Sequence, residues 1–99
     1  VIVYPNPSSS IFNFDLTQVE QKFKEIIVYN ILGEKVFSSE LTPRELNSIN
    51  LSHLANGYYL AKLFNQLETI TIKIIKTNQY EKYFYLIYVS YNKSWHCSM

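Results

Sequence analysis

Side chains that could support catalysis or metal binding are few and scattered in this 99-residue chain. The two histidines, His53 and His96, are far apart, and only Cys97 adjoins either, so the spaced ligands of a zinc site are missing. The serines at positions 8 to 10 lack the flanking glycines of a nucleophile elbow. The eight acidic residues fall mostly on polar strand faces and in loops, where solvation explains them, and predict no glycosidase pair. We therefore expect that the chain is not an enzyme and has no catalytic residue. We also expect it to bind no metal and no cofactor.

Composition and charge indicate one small globular domain. The hydrophobic fraction is 47%, the charged fraction 17% and the formal net charge +1, which favours a packed core over disorder. Lysines and arginines form no cluster large enough to follow a phosphate backbone, so we expect no nucleic-acid binding. No apolar stretch approaches the roughly 20 residues of a membrane-spanning helix, so we expect no membrane insertion. We also expect a monomer.

The beginning of the chain has the pattern of short strands separated by turns. An apolar run at 1–4 is closed by Pro5-Asn6-Pro7, which excludes a helix. The range 11–16 alternates, which predicts a half-buried strand. Its apolar side carries Phe12, Phe14 and Leu16.

A hairpin is predicted in the next segment. The range 25–31 is apolar on both faces, which is typical of a central strand covered above and below. Gly33 can adopt the positive φ that a hairpin with a G1-type bulge requires. The partner strand is expected at 35–40.

The sequence predicts a loop at 42–45 and a short strand at 48–51. A single helical or 3₁₀ turn is predicted next, at 51–57. Ser52 is the expected N-cap of this turn. Gly57 is expected to end it in the left-handed conformation.

The last regular strands are expected at 58–64 and 69–75, joined by a tight turn at Asn65-Gln66. The second strand alternates between two faces: Ile70, Ile72 and Ile74 on one, and Thr69, Thr71 and Lys73 on the other. About seven short strands at roughly ten-residue spacing predict an all-β fold, an Ig-like antiparallel β-sandwich.

The range 80–99 differs from the rest of the chain. It contains seven of the sixteen aromatic residues, although the preceding module already looks complete. We therefore divide the chain into a module at 1–79 and an atypical tail at 80–99. The tail either adds a strand around 83–89 or is a disordered extension. In the second case it is translated from sequence beyond the usual stop codon.

Three motifs in a fixed order carry a family resemblance. They are Val3-Tyr4-Pro5-Asn6-Pro7, then the range from Ile27 to Val36 with Asn30 and Gly33, then the range from Ile49 to Tyr59 with Leu54 and Gly57, followed by Lys73-Ile74-Ile75-Lys76 near the end of the module. In this order and spacing, the range 1–79 resembles the C-terminal sorting domain of the type IX secretion system of Bacteroidetes.

The resemblance implies a non-catalytic sorting signal that directs an exported cargo protein to the cell surface. The implied partners are the type IX translocon and a surface sortase, and the implied route crosses the periplasm and the outer membrane. For recognition by the translocon we single out the last strand, in which β-augmentation could use Thr69, Thr71, Lys73, Ile75 and Lys76. Alternatively, Lys73 and Lys76 only keep an edge strand soluble.

The sequence leaves two further alternatives open. The motif Tyr4-Pro5-Asn6-Pro7 is either contacted by the translocon or only fixes the path of the chain into the sandwich. The module as a whole could instead be an Ig-like accessory module that binds carbohydrate or protein beside a catalytic domain. Tyr58 is the one obvious sugar-stacking residue within 1–79.

Overall fold

The computed structural model describes residues 1–78, so the predicted boundary at 79 and the tail at 80–99 lie outside the described residues. Over this range the chain forms seven strands and no helix, which confirms the all-β, Ig-like sandwich. The strands are β1 (Ile2–Tyr4), β2 (Ile11–Asp15), β3 (Glu25–Tyr29), β4 (Lys35–Glu40), β5 (Leu46–Asn50), β6 (Gly57–Phe64) and β7 (Thr69–Lys76).

The strands are divided between two antiparallel sheets. One sheet has three strands in the order β1-β2-β5, and the other has four in the order β4-β3-β6-β7. Each sheet turns one face inward, so alternate residues of its central strands enter the shared core. Strand β7 therefore lies at one edge of the larger sheet and β4 at the other.

The core follows the alternation seen in the sequence. Along β2 the side chains of Phe12 and Phe14 are buried while the residues between and beside them are partly or fully exposed, as predicted. The largest fully buried side chains are Phe12, Phe14, Phe23, Leu16, Ile26, Leu51, Leu63, Ile74 and Val28. Truncation of a buried phenylalanine to alanine typically costs about 3–5 kcal/mol, so these residues dominate the stability of the fold.

Strand β3 is central, as predicted, but it is not covered on both faces. Ile26 and Val28 are buried against the core, whereas Ile27 and Tyr29 on the outer face are only half-buried. Ile31 belongs to the following turn and is 78% exposed. The prediction of a strand over 25–31 with cover on both faces was therefore wrong, because apolar side chains on the outer face of a two-layer sandwich have no second layer above them.

The hairpin between β3 and β4 has the predicted construction. Gly33 has a φ of 82°, and its N–H donates to the Asn30 carbonyl at 3.0 Å. A separate shift of one residue in the pairing register lies further along the strands, where Val28 pairs with Phe37 and Tyr29 with Lys35. A residue with a side chain would be strained at this φ, which explains a glycine here.

The segment before β6 contains the predicted single turn, but its capping residue and the role of Gly57 differ from the prediction. Leu54 donates its N–H to the Leu51 carbonyl at 3.0 Å, which makes one turn and no helix. The Ser52 N–H donates to Asn50 Oδ1 at 2.9 Å, so Asn50, and not Ser52, is the capping side chain. Gly57 has a φ of 152° and begins β6, so it does not end a turn in the left-handed conformation. Its extended, positive φ still favours glycine.

Candidate recognition site at the edge of the last strand

Strand β7 pairs with β6 on one side, and its other side is a sheet edge. In an antiparallel strand, successive residues direct their N–H and C=O groups to opposite sides. The Ile75 N–H and C=O both bond to groups outside the sheet. By alternation, the backbone groups of Thr69, Thr71 and Lys73 also point to this outer edge.

The C-terminal half of the edge is covered by the opening motif, Tyr4-Pro5-Asn6-Pro7. Asn6 Nδ2 donates to the Lys73 carbonyl at 3.1 Å, and Asn6 Oδ1 accepts from the Ile75 N–H at 2.9 Å. The Asn6 amide thus replaces the backbone of a neighbouring strand.

The residue after the opening motif continues this cover. The Ser8 N–H donates to the Ile75 carbonyl at 3.0 Å, and the Ser8 carbonyl accepts from the Thr77 N–H at 3.0 Å. These two bonds form a parallel bridge between Ser8 and Lys76. The contact between opening motif and last strand was not predicted. Its partners are 67 to 69 residues apart, and no local pattern signals their approach.

The N-terminal half of the edge is open. Among residues 1–78, no strand or side chain bonds to the outward N–H and C=O groups of Thr69 and Thr71. The side chains of Thr69, Thr71 and Lys73 are exposed, whereas Ile70 and Ile72 pack against the core. We call the outward backbone groups from Thr69 to the Lys73 N–H the open edge.

Ile75 and Lys76 are the other two residues predicted to take part in recognition, and they differ from Thr69, Thr71 and Lys73. Ile75 is half-buried and its backbone groups are already bonded, while Lys76 is only 5% exposed. The expectation that Lys76 is an exposed edge lysine was therefore wrong, because Lys76 lies two residues after the buried Ile74 on the same inward side of the strand, and the segment around Ser8 pairs with it. Its role in recognition, like that of the other residues, stays a prediction.

Lys73 is held over the outer face of the sheet. Its Nζ lies 4.4 Å from the centroid of the Tyr58 ring, within the range of a cation–π interaction. One face of the Tyr58 ring is thus occupied by an ammonium group. This arrangement does not favour Tyr58 as a stacking platform for a sugar.

The remaining motif residues have identifiable positions. Gly57 pairs with Lys76, and Tyr59 pairs with Ile74, so the third motif borders the same end of β7. Tyr59 donates its hydroxyl to the Ala55 carbonyl at 2.6 Å, and Leu54 packs against the core. The structure therefore brings the first and third motifs together at β7.

The second motif, with Asn30 and Gly33, lies in the β3–β4 hairpin. The register of Tyr29 with Leu60 puts this hairpin at the end of the sheet where β6 begins.

The residues considered for chemistry do not form a site in the described part of the chain. No group of three histidine, cysteine or acidic side chains in residues 1–78 could hold a metal ion. The exposed His53 ring lies 6.2 Å from the Phe37 ring, measured between centroids. Asp15 accepts hydrogen bonds from the Thr17 hydroxyl and the Thr17 N–H, which lower the pKa of its carboxyl group.

Comparison with known proteins identifies the family. Residues 2–77, nearly all of the described fold, match the family described as "Secretion system C-terminal sorting domain". The chain belongs to this family. It is a C-terminal sorting signal for type IX secretion, which confirms the family predicted from the three motifs.

Membership of the family implies three properties. Sorting domains of this family are non-catalytic and interact with the type IX secretion system. They imply an exported protein that reaches the cell surface or is secreted.

No protein with a curated description matches the chain. Within residues 1–78, no helix has the length and apolar character to cross a membrane.

Proposed function

We propose that the type IX translocon recognises this sorting signal by adding a strand to the open edge of β7. The observation that carries the proposal is the contrast along one strand. Asn6 and Ser8 cover the edge from Lys73 to Thr77, and within residues 1–78 nothing covers the edge from Thr69 to the Lys73 N–H. Five residues of strand span about 16 Å, enough for a short β-augmentation.

Backbone pairing explains how one machinery can accept many sorting domains. Main-chain hydrogen bonds supply affinity that depends little on side-chain identity, and the outward side chains supply selectivity. Here those side chains are Thr69, Thr71 and Lys73, a polar row on the outer face. The alternative is that Lys73 only keeps the edge soluble, which is a common function of edge lysines.

The same proposal includes the partners and the route. The domain is a monomeric ligand of the translocon that performs no chemistry itself. Its cargo crosses the periplasm and the outer membrane, and a surface sortase then removes the domain and anchors the cargo. We assign this activity to residues 1–79, with the tail taking no part.

Export of a fluorescent cargo in a Bacteroidetes host tests the proposal. The cargo carries a signal peptide and is fused either to the full chain or to residues 1–79, and surface exposure is measured by protease accessibility. We expect the 1–79 fusion to reach the surface. Export of the full chain but not of the 1–79 fusion would show that the tail is required.

Three substitutions separate backbone recognition from side-chain recognition. Thr71→Pro removes an outward N–H and leaves the β6–β7 ladder bonded, so export should fall at least tenfold. Thr71→Val keeps the N–H and is the matched control, which should export normally. Lys73→Glu tests the side chain, and unchanged export would make Lys73 structural only. Equal export by Thr71→Pro and Thr71→Val would refute strand addition.

A further inference from the structure

The β3–β4 hairpin carries two strongly exposed aliphatic side chains. Ile31 is 78% exposed and Leu32 is 80% exposed, and we call this pair the hairpin tip. Single exposed aliphatic residues are ordinary on a protein surface, but an adjacent pair projecting from a turn is a candidate contact. The open edge of β7 does not include them.

The hairpin tip is held in one conformation by Asn30. Its Oδ1 accepts from the Leu32 N–H and the Glu34 N–H, both at 3.0 Å, and its Nδ2 donates to Glu34 Oε1 at 2.9 Å. Two backbone bonds of 3.0 Å, from Gly33 to Asn30 and from Asn30 to Glu34, close the turn. A rigid turn loses little conformational entropy on binding, so the tip is preorganised for a pocket of fixed shape.

Further apolar surface lies at the same end of the sheet. Tyr29 pairs with Leu60, and Leu60 pairs with Lys73 on the next strand. Leu60 is 45% exposed and Tyr58 is 53% exposed. The hairpin tip therefore lies at the end of a partly apolar outer face, and a partner seated on the tip can extend onto this face.

We infer that Ile31 and Leu32 form an apolar anchor that inserts into a hydrophobic pocket on a protein of the type IX machinery. The inference rests on the proposed function, because it adds a second contact with the same partner. Burial of an aliphatic side chain in such a pocket changes affinity by about tenfold or more.

The charges around the tip favour a protein pocket over a lipid surface. Glu34 and Lys35 follow the tip after Gly33, and their charges balance, so the hairpin has no cationic excess to attract anionic headgroups. Neither tip residue is a tryptophan or tyrosine, the types that anchor proteins at a membrane interface, and Tyr29 at the base of the hairpin is half-buried. Two aliphatic side chains without such support bind a bilayer weakly.

A binding titration tests the anchor on the full chain. A fluorophore on the single cysteine, Cys97, reports anisotropy as detergent-solubilised type IX translocon from a Bacteroidetes outer membrane is added. Ile31→Ser/Leu32→Ser is compared with wild type. The matched control is Leu67→Ser, because Leu67 is 90% exposed at the tip of the β6–β7 hairpin, at the opposite end of the sheet. Unchanged melting temperatures verify that each variant folds.

The anchor predicts that wild type and Leu67→Ser bind equally and that the double variant binds at least tenfold more weakly. Equal binding by all three, or no binding by wild type, would overturn it. So would tip-dependent binding to phosphatidylethanolamine–phosphatidylglycerol vesicles, which would make the tip a lipid contact. Thr71→Pro in the same titration separates the two proposals: weak binding by Thr71→Pro with normal binding by the tip variant leaves only strand addition standing.

Discussion

The bonds between Asn6 and β7 make a specific stability prediction. Asn6→Ala removes both side-chain hydrogen bonds, one at 3.1 Å to the Lys73 carbonyl and one at 2.9 Å from the Ile75 N–H. A hydrogen bond contributes about 0.5–1.5 kcal/mol net, and these two are solvent-accessible, so we expect a loss of about 1–2 kcal/mol. In a domain of this size that corresponds to at least roughly 4 °C in melting temperature.

Urea denaturation followed by far-UV circular dichroism measures this loss. The matched control is Asn56→Ala, since Asn56 is also exposed and makes no side-chain hydrogen bond to another described residue. We expect the control to stay within about 0.5 kcal/mol of wild type. If Asn6→Ala unfolds at the same urea concentration as the control, the contact between the opening motif and β7 does not contribute to the free energy of unfolding.

Three smaller predictions concern other positions. Gly33→Ala should lose about 1–2 kcal/mol, because the φ of 82° strains any residue with a Cβ even though the site has open space, and Gly33→Asn should recover part of the loss in the same urea assay. Tyr59→Phe should lose about 1 kcal/mol in thermal melts through the missing bond to the Ala55 carbonyl. The lowered pKa of Asp15 means that its contribution is present above the unfolded pKa and lost as pH falls through the folded pKa, so Asp15→Asn should flatten the fall of melting temperature below about pH 4.

The parts of the fold that follow from local periodicity were predictable. A two-residue alternation places Phe12 and Phe14 in the core and Thr69 and Thr71 on the outer face, because side chains on a strand point to opposite sides. The turn at Gly33 was predictable for the same local reason, since few residues tolerate its backbone conformation.

Features that depend on distant segments were not predictable. The chain around Ser8 returns to the edge of β7 and forms a bridge with Lys76, and the two bonds of Asn6 to β7 have the same origin. Likewise, the apolar side chains of Ile27 and Tyr29 suggested a strand covered on both faces, yet the sandwich has a second layer on one side only. Local pattern therefore identified the strands and the family motifs, while the covered and open halves of the candidate edge required the tertiary structure.

Amide hydrogen exchange of the chain bound to solubilised type IX translocon tests the central claim most directly. If the partner adds a strand at the open edge, the outward amides of Thr69, Thr71 and Lys73 should become protected on binding. The Ile75 amide, already bonded to Asn6, should change little. Saturated binding with unchanged exchange at Thr71 and Lys73 would contradict recognition through this edge.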